Sequence, residues 1–225
     1  MTDEITGDAG HSEIEDKYEK ERAEWFPKAG DRLFVASDAG ACLDPLHCTL
    51  PGEPRAQTGR WQLYVGGFLT AADRLVEAGS GDIDQDELIY PIFTLYRHHL
   101  ELQLKWAIRW SPGCTDETRK WLAGTHSLRE LWDKLAEVYP RFSVWTTPEC
   151  TEACHQSILE FDCHDPNSQA SRFPEDKEGN PTLTRLDVVD LPTLKLGINK
   201  ISHYLSAIVM QIGQDHEWEA EMAGW

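Results

Sequence analysis

Apolar side chains recur at three- and four-residue spacing through most of the chain after Trp61, and that period predicts helices. Trp61, Tyr64, Val65, Phe68, Leu69, Ala72, Leu75 and Val76 form one such stripe, which stops near Gly79-Ser-Gly81. A second helix is expected from about Gln85 to Trp110, with Ser111-Pro-Gly113 as its stop. It is apolar over most of its girth (Leu88, Ile92, Phe93, Tyr96, Leu100, Leu104, Ile108), the pattern of a centrally buried helix. Pro91 falls inside the run and suggests a first turn, where its missing N–H costs nothing. Shorter amphipathic stretches follow at Thr115–Ala123, Ser127–Tyr139 and Glu149–Phe161, and a last helix is expected from about Leu191 to Gln214. Between the last two, Pro166, Pro174, Gly179, Asn180 and Pro181 break any long element. Glu178-Gly-Asn180 there predicts a tight turn in a small β-hairpin.

These elements predict a mainly α fold, a helical bundle with a small β-hairpin insertion. The expected organisation is an acidic disordered tail over 1–20 and a single helical domain over 21–225, whose Pro/Gly-rich lead-in covers 26–60.

Charge then narrows the functions. Thirty-nine acidic residues against 21 basic ones give a net charge of −18. That balance disfavours broad, sequence-blind nucleic-acid binding and acidic membrane surfaces, though a local basic cleft remains compatible with it. No apolar run approaches the roughly 20 residues of a membrane helix, and the first 20 residues carry no secretory leader pattern. The expectation is a cytoplasmic protein whose six cysteines are thiols.

Four groups of residues carry candidate chemistry. On the central helix Arg97, Glu101 and Lys105 lie four apart on one face, with His98 beside them. Charges on so apolar a helix need partners. One reading is an ion-pair ladder; the other is a cleft in which Arg97 steadies a phosphate and His98 moves a proton, with Glu101 alongside. His126 opens a later helix and is a candidate binding residue, and Arg119 and His126 have six residues between them. Asp162 and Asp165 are candidate counter-charges for Arg97 or Lys105, and Arg172 for Glu101. Cys150, Cys154, His155, Cys163 and His164 supply soft ligands, but without paired C-x-x-C knuckles, so no metal and no cofactor is expected. A Gly-rich phosphate loop, a nucleophile elbow and a metalloprotease helix are all missing from the sequence.

Tyr96-Arg-His-His-Leu-Glu-Leu-Gln-Leu-Lys105, together with Phe68–Val76, His126-Ser-Leu-Arg-Glu-Leu-Trp132 and Glu160–Gly179, resembles a group of bacterial proteins of the HEPN superfamily. The resemblance spans about residues 60 to 212. It implies a helical bundle, frequent homodimers and a role in defence, toxin–antitoxin or RNA-processing systems. It also implies metal-independent endoribonuclease activity where an Arg-x(4–6)-His motif sits on a late helix. Here the late helix offers Asn199-Lys-Ile-Ser-His203 without an arginine in register. Two functions therefore stand. One is an RNA-directed effector using Arg97, His98 and Glu101, with Lys105, His126, Asp162 and Arg172 as binding residues. The other is a non-catalytic module for a basic protein partner or a nucleotide.

Overall fold

The computed structural model describes residues 54–79, 85–140, 147–186 and 188–223. The chain divides at residue 47, and everything described belongs to the second unit, Cys48–Trp225. The expected tail over 1–20, and the lead-in up to residue 53, lie outside the described residues.

Six helices make up the described part: α1 (Pro54–Gly79), α2 (Gln85–Trp110), α3 (Asp116–Leu122), α4 (Leu128–Val138), α5 (Pro148–His164) and α6 (Leu191–Ala223). The mainly helical expectation holds. Asp86 and Glu87 start α2 with the charge that suits a helix N-terminus. Thr115, Ser127 and Thr147 cap α3, α4 and α5 by accepting from the backbone N–H three residues on.

The central position of α2 follows from its sequence. It packs against α1, α3, α4 and α6. Ile92, Phe93, Tyr96, Leu100, Leu104, Ala107 and Ile108 are buried along its length. Leu128, Leu131 and Leu135 of α4, Ile158 and Phe161 of α5, and Ile198, Leu205 and Ile212 of α6 complete the core. The Phe93 and Phe161 rings stack with centroids 4.3 Å apart, which joins α2 to α5.

The polar residues of α2 are as well organised as the apolar ones. His99 lies against the Val65 carbonyl of α1, 2.9 Å from Nδ1. Gln103 donates to the Ser202 carbonyl at 2.8 Å and to Ser206 Oγ at 2.9 Å, both on α6. Tyr96 donates to Asp73 of α1 at 2.7 Å, and Asn199 of α6 reaches the same carboxylate. Each contact pairs one polar atom of α2 with a neighbouring helix and helps fix its register, while His99 Nε2 and Gln103 Oε1 stay buried without a hydrogen-bond partner.

Three expectations change. Pro91 is the seventh residue of α2 and not part of its first turn. The expected hairpin is, among the described residues, one antiparallel bridge between Glu175 and Pro181. Pro174 and Pro181 have no N–H to extend a ladder, and Asp176 takes the turn amides of Glu178 and Asn180 on its own carboxylate. The left-handed residue of that turn is Gly179, φ 83°. Finally, α6 runs on to Ala223, beyond the expected end near Gln214.

Candidate functional site

Arg97 is fully enclosed between α2, the turn before α4 and the C-terminal end of α5. Its Nε donates to the Asp165 carbonyl at 3.1 Å, and Nη2 donates to the His126 carbonyl. Nη1 lies 3.6 Å from Glu101 Oε2, and Nη2 lies 3.8 Å from Asp162 Oδ1. Nη1 and Glu101 Oε2 make no hydrogen bond, yet they face each other as opposite charges. Burial pulls the guanidinium below its ordinary range, while Glu101, Asp165 and Asp162 pull the other way. An arginine stays protonated throughout.

Glu101 is the next link. Its Oε1 accepts from Lys105 Nζ at 2.8 Å and lies 2.9 Å from His126 Nδ1. The carboxylate is 4% exposed and the His126 side chain 52% exposed, so the pair runs from the protein interior to its surface. A carboxylate can only accept, so Nδ1 carries the hydrogen and Nε2 is left to the exposed side. His126 also lines a pocket of about 480 Å³ with Lys120, Trp121, Thr125, Glu130 and Asn167.

The two aspartates work on backbone. Asp162 Oδ1 accepts the Leu128 N–H at 2.7 Å, which places a carboxylate at the start of α4. Asp165 accepts from the amides of Gln169 and Ala170 at 2.7 and 3.0 Å, and from Ser171 Oγ at 2.9 Å. The loop after α5 is thereby folded around one buried carboxylate.

Of the predicted site residues, Arg97, Glu101, Lys105, His126 and Asp162 come together. His98 borders them but packs edge-on against Phe68, centroids 4.4 Å apart. Burial lowers its basicity most, Glu101 opposes that, and the cations Lys105, Arg172 and Arg97 add to it. Arg172 is exposed and donates to the Ser168 carbonyl at 2.6 Å; Glu101 takes its cations from α2 itself. Arg119 and His126 line different pockets.

Asp73, Asn199 and Gln103 are partners that sequence reasoning missed. The only signal for Gln103 was an amide on an otherwise apolar rod. Among the described residues, no three of His, Cys, Asp and Glu are grouped to hold a metal ion. Burial pushes the Cys154 thiol up to about 12, which leaves it protonated and unreactive. No described helix is long and apolar enough to cross a membrane. Comparison with known proteins adds no relative: no family model, no curated protein and no solved structure matches this chain.

Proposed function

We propose that the chain is a HEPN-like effector that acts on RNA without metal, with His126 as its proton-transfer group. The single observation that carries this reading is the half-exposed imidazole on a buried carboxylate, His126 Nδ1 to Glu101 Oε1 at 2.9 Å. In that pairing Glu101 fixes the tautomer and steadies the imidazolium that forms when Nε2 takes a proton. In RNA the proton would come from a ribose 2′-hydroxyl, whose oxygen attacks the adjacent phosphorus as the bond from phosphorus to the 5′-oxygen of the next nucleotide breaks, leaving a 2′,3′-cyclic phosphate and a 5′-oxygen that takes up a proton as it departs. Lys120 lines the same pocket and would supply positive charge to the phosphate. Arg97 is a positioning residue in this scheme. It holds the carbonyl of His126 and the carboxylate of Glu101 and does not reach substrate.

The test is cleavage of single-stranded RNA by the purified chain in the presence of a chelator. His126→Ala should lower the rate about 100-fold or more. Glu101→Gln should lower kcat more than it raises KM. Wild-type rates in His126→Ala would dismiss the site.

A second reading, a non-catalytic interaction module, is favoured by the enclosure of Arg97 and by the net charge of −18. On that reading the ion network is purely structural and a basic protein is the partner. Absence of any RNA cleavage, combined with co-purification of a basic protein from the native host, would decide for it.

A further inference from the structure

A second pocket lies at the far end of α2 and is independent of the reading above. It measures about 370 Å³ and is lined by Arg109, Trp110, Ser111, Cys114, Arg119 and His216, along with Pro112. Among the described residues no carboxylate lines it, in a chain that carries 39 acidic residues.

The cations differ in how they are held. Arg109 is exposed and, among the described residues, has no acidic side chain within ion-pair distance. Arg119 has one, Asp116, at 4.0 Å, and that carboxylate is 93% exposed. Such a contact is worth little in water and is readily exchanged. His216 is committed to the wall: Nε2 donates to the Trp110 carbonyl at 2.7 Å, and its ring meets the Trp110 ring edge-on, centroids 5.9 Å apart. The indole is therefore fixed by α6 while both guanidinium groups remain available.

The opposing explanation is that these cations only complement the carbonyl end of α2. Two of those carbonyls are already occupied. Ser111 Oγ donates to Ala107 at 2.8 Å, and His216 takes Trp110. Two arginines lining one pocket with an aromatic side chain supply the groups that grip a phosphate in bidentate fashion while an apolar body packs alongside. The volume falls within the range of small-ligand pockets.

We propose that this pocket binds an organic phosphomonoester, its phosphate held between Arg109 and Arg119 and its body against Trp110. Calorimetric titration of the full chain at low salt tests this with three probes: adenosine 5′-monophosphate, adenosine and inorganic phosphate. The nucleotide should bind more tightly than either adenosine or free phosphate. Arg109→Gln with Arg119→Gln should weaken nucleotide binding by about tenfold or more. The thermal midpoint should not change, since both side chains lie at the surface. The proposal is overturned if adenosine binds as well as the nucleotide, if phosphate alone matches it, or if the double variant binds like the wild type. No heat from the nucleotide at concentrations up to about 10 mM would overturn it equally.

Discussion

Arg97 satisfies two carbonyls and faces two carboxylates from a position without solvent, so removing it is not the reverse of adding it. Arg97→Met fills similar space but leaves Glu101 and Asp162 buried without their guanidinium. The expected loss is about 3–5 kcal/mol, measured by urea unfolding. A loss well under about 1 kcal/mol would show that the ion network contributes little. The two histidines of α2 give a pH dependence. Burial lowers the pKa of both His98 and His99 from 6.5, Glu101 and the Val65 carbonyl respectively opposing it. Above pH 6.5 they are neutral in both states and contribute no slope. Below it the unfolded chain takes up protons that the fold refuses, so stability falls as pH drops from 6.5 into the lowered range. Unfolding midpoints at about pH 7.5 and about pH 5.5, in enough salt to screen the surface charge, should differ in that direction. His99→Gln keeps a donor for Val65 but cannot titrate, and should shrink the difference. An unchanged difference would show that His99 is not its source.

At the scale of elements, the joints are tighter than the helices. A Cβ on Gly113 would sit well inside van der Waals contact of the Val138 carbonyl, so the link after α2 runs directly over the end of α4. Gly113→Ala should cost about 1–3 kcal/mol, because backbone and not a flexible side chain must yield. Gly124→Ala, whose added carbon would lie 3.9 Å from the nearest atom, is the matched control and should change the thermal midpoint little. The bounds of α2 were legible in the sequence because an acidic start and a Ser-Pro-Gly stop enclose an apolar run. The end of α6 was not. Its regular apolar stripe closes at Ile212, and the turns that follow carry mostly polar residues with an isolated exposed Trp218 and Met222, so periodicity has little to report there. The hairpin was misread for the opposite reason: its turn signal was sound, but the flanking prolines cannot sustain strands. In the site, Arg97, Glu101 and Lys105 were legible through four-residue spacing. Asp162 was legible as a counter-charge for Arg97 and lies 3.8 Å from it. The approach of His126 to Glu101 was not, since it depends on how α4 docks. Arg172 had the right charge on a loop that faces solvent.

Across all six described helices, stability is distributed through polar stitches as well as through the core. Amides that belong to no helix ladder are held by buried carboxylates: Gln169 and Ala170 by Asp165, and Leu128, the first residue of α4, by Asp162. In hydrogen exchange these amides should open together and at nearly the free energy of global unfolding, although they lie in a loop and at a helix start. In Arg97→Met they should all accelerate, while amides in the middle of α6 should be slowed or hastened only as far as global stability changes. Independent, rapid exchange of the three in the wild type would contradict a shared unit. The guanidinium that grips the carbonyl of residue 126 also anchors the strip of backbone from which that imidazole projects. The ring therefore has little freedom to wander from its carboxylate, and its aim is inherited from the interior. Loosening the core some distance away would let that ring drift before the protein visibly unfolds.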